Sequence, residues 1–181
     1  MGTIRILLGI ICFAAVGSYR LPDCHLLNVQ ERQYQQLINI ARGEIGIREK
    51  SGQNDGERVE GYLATVGLKK GQPWCAAFVS WVFQKGGHNQ PKTGWSPALF
   101  NSKVKTKTVK PGNIFGIWFP QLKRIAHVGL VEKREGDWLI SIEGNTNIAG
   151  GREGDGVYRK RRSVKSIYAF ADWLKGKEVR P

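Results

Sequence analysis

A cysteine opens a segment that has the apolar pattern of a helix. The apolar residues of segment 72–83 recur at helical spacing, Pro73 suits a first helical turn, and Gly86-Gly87 ends the pattern. Cys75 therefore lies in the first turn, where unpaired backbone N–H groups and the helix dipole are electropositive. Such a site lowers the pKa of a thiol and favours the nucleophilic thiolate. The alternative is a cysteine that merely fills the core.

A thiol nucleophile needs a base that takes its proton. The chain has three histidines: His25 lies beside the N-terminal leader, and His88 lies in a loop rich in Gly, Asn and Pro. His127 alone lies within a strand pattern, in Ala126–Val131, where a sheet would hold it rigidly. His127 is therefore the predicted base, although a strand histidine can also be a half-buried structural residue.

Two polar residues near the end of the next strand could orient that histidine. A carboxylate in an apolar strand is costly to bury unless it is paired, and Glu143 beside an imidazole would be paired. It would fix the ring's tautomer and stabilise the imidazolium. Asn145 could do the same by a hydrogen bond, or could help to polarise a substrate carbonyl. The alternative for Glu143 is a strand end that faces solvent.

The elements that must position these residues change from helical to strand periodicity along the chain. Helices are expected first and strands afterwards, which indicates an α+β domain with the helices packed on one side of an antiparallel sheet. A hairpin loop at 134–137 would join the two central strands. The expected helices are 28–47, 58–66, the cysteine helix and a short one at 96–101; the expected strands are 114–119, 126–133, 138–145, 156–161 and 166–170.

The mechanism constrains the register of the strands that carry His127 and Glu143. Opposed residues of an antiparallel pair point to the same face, and the sum of their numbers is constant. A simple loop at 134–137 makes that sum odd and places His127 opposite Gly144, so that Glu143 points away. We therefore predict an even sum, from a loop of three or five residues or from a bulge at a left-handed Gly136. His127 is then opposite or diagonal to Glu143, on the face turned towards the cysteine helix.

Composition indicates a basic, exported protein. The chain has 181 residues, with 28 Lys and Arg against 15 Asp and Glu, a net charge of +13. Such a charge favours polyanionic partners, either nucleic acid or an anionic cell envelope, unless it is only a solvated basic face. Export favours the envelope, and no aromatic-basic pattern of a nucleic-acid module is present, so we expect no nucleic acid.

The N-terminus resembles a secretory signal at 1–18. Arg5 precedes the apolar run Ile6–Val16, and Ala15-Val16-Gly17 is a small-residue cleavage pattern. An uncleaved anchor and a lipoprotein modified at Cys24 are the alternatives. After cleavage Cys24 and Cys75 remain, and a disulfide between them is the structural alternative to a free nucleophile.

Four motifs together resemble the CHAP family of cysteine, histidine-dependent amidohydrolases and peptidases. They are Pro73–Val79, Pro111–Ile114, Ala126–Val131 and Glu143–Asn147, and their order and separation agree with the family from about Ile40 to Tyr168. The resemblance implies a papain-like α+β fold and cleavage of peptidoglycan amide bonds.

The resemblance also implies residue roles. Cys75 would be the nucleophile and His127 the base, with Glu143 and Asn145 as polar partners. Asn113 departs from the family's usual aspartate after Pro-Gly, and we expect it to shape a turn. Acidic residues such as some relatives use for calcium do not precede the cysteine, so we expect no metal and no cofactor.

We predict Trp74 and Trp95 as substrate-binding residues; Trp95 and Phe100 could line a groove or belong to a satellite core. The chain is divided into the leader 1–18, a linker 19–30, a CHAP-like catalytic domain 31–175 and a tail 176–181.

The expected protein is a monomeric, periplasmic or extracellular hydrolase of peptidoglycan, with membrane contact only through the leader. It would be an N-acetylmuramoyl-L-alanine amidase or a peptide endopeptidase. A non-catalytic cell-wall-binding protein on the same fold is the alternative.

We predict that the mature protein begins between Gly17 and Tyr19, because the small-residue pattern there follows an apolar run of signal-peptide length. N-terminal sequencing of exported material measures this directly. A lipid-bearing start at Cys24 would show a lipoprotein instead.

Overall fold

The structure is a computed structural model that describes residues 29–149 and 154–175. Its sheet is antiparallel throughout, with strand order β1-β6-β2-β3-β4-β5. The helices are α1 (Val29–Gly43), α2 (Glu57–Thr65) and α3 (Cys75–Lys85), and the strands are β1 (Lys105–Thr106), β2 (Ile114–Phe119), β3 (Arg124–Glu135), β4 (Trp138–Thr146), β5 (Gly156–Ser163) and β6 (Ala169–Ala171); 3₁₀ turns cover Ser96–Phe100, Pro120–Leu122 and Val164–Ser166.

The α+β class is confirmed, and the helices lie before the sheet in the chain as expected. Helix α1 is shorter than predicted, because the chain turns after Gly43 and passes through Gly46 at a positive φ of 100°. The sequence does not predict the short edge strand β1. The last predicted strand, 166–170, begins at the end of a 3₁₀ turn and only its last two residues belong to β6. The predicted leader and tail, and most of the linker, lie outside the described residues.

The main core lies between the helices and one face of the sheet. Residues Cys75 to Phe83 of α3 are all buried, so this helix lies within the core and does not present only a stripe to it. Leu37 and Ile38 of α1 pack into the same cluster. A smaller cluster of Phe115, Val131 and Leu139 lies on the opposite face of the sheet. Among the residues described, no helix is long and apolar enough to cross a membrane.

The hairpin between β3 and β4 differs from the predicted loop. Glu135 pairs with Trp138, so the loop is Gly136-Asp137, with Gly136 at a φ of +59°. The four-residue loop 134–137 is therefore wrong: glycine allows a tighter turn, and β3 continues to Glu135.

A bulge corrects the register farther from the turn. Lys133 pairs with Ile140, whereas Leu130 pairs with Ile142, so Glu132 is the extra residue and the sum of paired numbers changes from odd to even. The even register that the mechanism requires is confirmed. Its source is Glu132 and not Gly136, because a buried Glu132 carboxylate bonds Arg42 and Arg159 and holds the bulge in place.

The face predicted for the histidine and the glutamate is wrong. A Cβ atom placed on Gly129 would lie 2.7 Å from Glu143 Cγ and 2.8 Å from Phe115 Cε1, so Glu143 lies on the face of the smaller cluster. A Cβ atom on Gly144 would lie 2.7 Å from Phe78 Cβ, so it is Gly144 that faces α3. His127 alternates in the same way with Val128, which packs in the main core.

We predict that Gly144→Ala lowers the free energy of unfolding by about 1–3 kcal/mol, as overpacking of a core does. The added Cβ would lie 2.7 Å from both Phe78 and the Trp74 ring, which are fully buried. Urea denaturation measures the change.

Gly61→Ala is the matched control. Gly61 is exposed in α2 and its Cβ would meet nothing within 4 Å, so the variant should be about 0.5–1 kcal/mol more stable. Equal stability of the two variants would show that α3 does not pack tightly on β4.

Candidate active site

Cys75 is the first residue of α3, and its thiol lies against the backbone of β3. The preceding residue, Trp74, caps the helix without a side-chain hydrogen bond, so the N-terminal N–H groups keep their positive potential. Cys75 Sγ is 3.5 Å from Ser96 Oγ and 4.0 Å from Ala126 O. The side chain is free of any disulfide and almost buried. Cys24, the disulfide alternative, lies outside the described residues.

His127 joins the thiol to the carboxylate. Its Nε2 is 2.8 Å from Glu143 Oε2, which leaves Nδ1 as the ring nitrogen available to the Cys75 thiol. The thiol and the imidazole approach each other closely enough for each to shift the other's pKa, downward for Cys75 and upward for His127, although His127 is on the other sheet face. The β3–β4 pairing ends at Leu130 and Ile142. The start of α3 lies over Gly144, beyond these paired residues, and there the thiol can approach the imidazole past the end of the pairing.

Asn145 is not the partner of the imidazole. It has a left-handed backbone, with φ 53°, and lies in the irregular stretch of β4 beside β5. Among the hydrogen bonds of the described residues, His127 bonds the Glu143 carboxylate and Asn145 makes no bond to the ring. The choice between the two polar partners, which the strand pattern left open, is therefore decided by the geometry in favour of Glu143.

Glu143 is fully buried, and three side chains bond its carboxylate oxygens: Arg162, Ser141 and His127. Arg162 Nε donates to Oε1 at 2.9 Å and Arg162 Nη2 donates to Oε2 at 2.5 Å, while Ser141 Oγ donates to Oε1 at 2.6 Å. Burial alone would raise the pKa of Glu143, but the bonds with Arg162 and His127 outweigh it and lower that pKa to about 2. Ionised Glu143 thus favours the folded state above about pH 4.5, its ordinary pKa, and this contribution is lost as pH falls towards 2.

The thiol and the imidazole stabilise each other's charged forms. Burial alone would raise the pKa of Cys75, but the hydrogen bond and the charge of His127 lower it. Burial alone would lower the pKa of His127, but bonds with Cys75 and Glu143 raise it to about 9. The two shifts together favour a thiolate–imidazolium pair over a neutral thiol and a neutral imidazole.

A groove of about 500 Å³ opens beside the thiol. Trp95, which is 53% exposed, lines it together with Cys75, so this predicted substrate-binding residue lies at the site. Trp74 does not: it is fully buried, stacks on Tyr62 and donates to Glu49 from its ring nitrogen. The prediction of Trp74 as a substrate contact is wrong, because its large ring fills the core below the helix. Phe100 is also a core residue.

Sequence reasoning missed three residues of the site: Ser96, Ser141 and Arg162. In the sequence Arg162 belongs to a basic run, and strand pairing alone does not place it beside Glu143. Arg162 is opposite Leu139 while Glu143 is opposite Tyr158, so the arginine side chain reaches along the sheet to the carboxylate. The one available signal was Glu143 itself, because a buried carboxylate requires a cation nearby.

Asn113 shapes a turn, as expected. It is buried, and its Oδ1 accepts a hydrogen bond from the Lys110 backbone N–H at 2.9 Å, next to Gly112 at a φ of 82°. Within residues 29–149 and 154–175, no group of three or more His, Cys, Asp or Glu side chains is arranged to hold a metal ion.

Comparison with known proteins confirms the family resemblance. Residues 67–145 match the family model described as the CHAP domain, and this segment contains Cys75, His127, Glu143 and Asn145. The matched segment includes the cysteine-bearing helix and the strands that carry the histidine and the glutamate. No curated protein matches the chain.

The solved structures that the chain matches include those of two proteins. The crystal structure of the NlpC/p60 domain of peptidoglycan hydrolase SagA is 18% identical, with a TM-score of 0.44, and the match covers 77% of this chain and 97% of that one. The crystal structure of Ly7917 is 17% identical, with a TM-score of 0.45, and the match covers 76% of this chain and 61% of that one. A second structure of Ly7917 contains the hydrolysing product of MDP.

We predict that iodoacetamide alkylates Cys75 well below pH 8.5 in the native protein, because His127 stabilises the thiolate. In His127→Ala the midpoint should shift upward, since burial then acts on the thiol alone. Peptide mapping by mass spectrometry, as a function of pH, separates Cys75 from the other cysteines. An identical profile in the variant would show that the imidazole does not set the thiol's charge.

Proposed function

We propose that this protein is a cysteine-dependent hydrolase that cleaves amide bonds of peptidoglycan. The observation that carries the proposal is the array of Cys75, His127 and Glu143, whose cysteine lines an open groove while the histidine and the glutamate are buried behind it. The array supplies a nucleophile, a proton carrier and a buried charge that orients it, which together form a complete apparatus for acyl transfer. The CHAP match over the same segment supports this reaction class.

In the proposed reaction the Cys75 thiolate attacks the carbonyl carbon of an amide, and a C–S bond forms. The negative charge moves to the carbonyl oxygen, where the backbone N–H of Cys75 at the start of α3 is positioned as a donor. The C–N bond then breaks, and His127 gives its Nδ1 proton to the leaving amine. Asn145 remains a candidate for polarising the carbonyl, since it does not bond the imidazole.

The resulting thioester is cleared by water. Neutral His127 takes a proton from the water molecule, the hydroxide adds to the thioester carbonyl, and the C–S bond breaks to give a carboxylic acid. Glu143 keeps the ring in place through both steps because it bonds Nε2 throughout. Above about pH 9 the imidazolium is lost and with it the proton for the leaving amine, so the acylation step should slow there.

Peptidoglycan is the proposed substrate on two grounds. The CHAP resemblance implies this class of amide, and a net charge of +13 suits a protein that acts within an anionic envelope. Both cleavage by an N-acetylmuramoyl-L-alanine amidase and cleavage by a peptide endopeptidase fit the same array. A purely wall-binding protein would have no use for an ionised glutamate that is buried and bonded to the histidine beside the cysteine.

We predict that Cys75→Ser abolishes hydrolysis of purified peptidoglycan and leaves the fold intact, because serine keeps the volume and lacks the thiolate. A zymogram detects the activity, and mass spectrometry of released fragments shows whether the lactyl amide or a peptide amide is cut. Circular dichroism tests the fold.

The matched control is Cys24→Ser, which removes a thiol from the segment before the catalytic domain and should leave the activity unchanged. If Cys75→Ser keeps more than a small fraction of the native turnover, Cys75 is not the nucleophile. Loss of activity in Cys24→Ser would instead support a disulfide.

A further inference from the structure

The groove beside Cys75 contains one arginine, Arg124, at the first position of β3. Its guanidinium carbon lies 4.3 Å from the centroid of the Trp95 ring, which is the other large side chain of the groove. Arg124 Nη1 also donates to the Ile125 carbonyl at 3.1 Å. The stacking and the carbonyl bond together hold the guanidinium in one place and leave further N–H donors for another partner.

Four other arginines of the protein are used differently. Arg42 and Arg159 pair with Glu132, Arg58 pairs with Glu44, and Arg162 pairs with Glu143. In each of these pairs a glutamate with almost no exposed side chain neutralises the arginine, and the pairs connect elements of the fold.

Arg124 has no such partner in the described part of the chain, where no carboxylate forms an ion pair with it. The residues that line the groove include no Asp or Glu either. An anionic group that enters the groove would therefore meet a fixed cation and no like charge.

A guanidinium held in this way suits a carboxylate. Its planar fork can donate two parallel hydrogen bonds to the two carboxylate oxygens, which is a stronger and more directional contact than an ammonium makes. Because stacking on Trp95 already restricts the side chain, little conformational freedom is lost when a ligand binds.

We propose that Arg124, supported by Trp95, binds a free carboxylate of the peptide substrate close to the amide that Cys75 attacks. The proposal rests on the function proposed above and narrows its substrate class. The preferred substrates are peptidoglycan peptides that keep a free carboxylate near the scissile bond, and peptides in which that carboxylate is amidated are disfavoured.

The experiment compares purified muropeptides that differ only in whether a stem-peptide carboxylate is free or amidated. We expect the native enzyme to have a kcat/KM about 10- to 100-fold higher for the free acid, the range for a hydrogen-bonded charge pair. Arg124→Gln should remove the preference by raising KM for the free acid alone. Arg124→Lys keeps the charge but not the planar guanidinium, so it should keep only part of the preference for the free acid.

Lys123→Gln is the matched control. Lys123 is the residue before Arg124, its side chain is exposed and lies outside the groove, and the substitution removes the same charge. It should keep the native preference. Equal turnover of both muropeptides by the native enzyme, or an equal loss for both in Arg124→Gln, would overturn the proposal. The comparison of two substrates on the native enzyme needs no variant, so it holds even if Arg124→Gln folds poorly.

Failure of the proposed function is a separate result. If the native enzyme cleaves neither muropeptide, the proposed function fails, and calorimetry with Cys75→Ala decides the carboxylate site. Tighter binding of the free acid that is lost in Cys75→Ala/Arg124→Gln supports the site. Equal binding of the two muropeptides, or binding of neither, overturns it.

Discussion

The burial of an ionised glutamate is the constraint on which the rest of the site depends. Glu143 has no exposed surface, and a charge in such a place is tolerated only if its oxygens are fully bonded. Arg162 from β5, Ser141 from β4 and His127 from β3 supply those bonds. Removing one partner of a buried pair typically costs about 3–5 kcal/mol, so three strands must stay in one register. The same requirement holds the imidazole at the position where the thiol meets it.

That register is itself set by a second buried glutamate. Glu132 is the extra residue of the β3 bulge, and its carboxylate bonds Arg42 from α1 and Arg159 from β5. Without the bulge, the odd register near the turn would continue, His127 would be opposite Thr146, and Glu143 would point away from the imidazole. The ion pairs of Glu132 therefore connect the position of α1 to the orientation of His127, through one residue inserted into a strand.

The helix that carries the cysteine is placed by packing. Trp74 and Phe78 lie over Gly144, and Tyr62 of α2 stacks on Trp74 with ring centroids 5.5 Å apart. Only a glycine on β4 allows the helix to approach this closely, and the approach brings the thiol of Cys75 to the β3 backbone at Ala126. Polar bonds thus fix the imidazole, while aromatic packing fixes the thiol, and the two meet where the β3–β4 pairing ends.

The sequence by itself determined the local features of this protein. Apolar spacing placed Cys75 at a helix start, strand patterns placed His127 and Glu143 on neighbouring strands, and the alternation of side chains required an even register. These are local properties, since helix and strand periodicity depend on residues a few positions apart. Only the tertiary structure decided the rest: the bulge at Glu132, the sheet face of His127, the burial of Trp74 and the bond from Arg162 to Glu143. Each of these depends on partners far apart in the chain, because bulges and long side chains respond to packing and charge that no single segment contains.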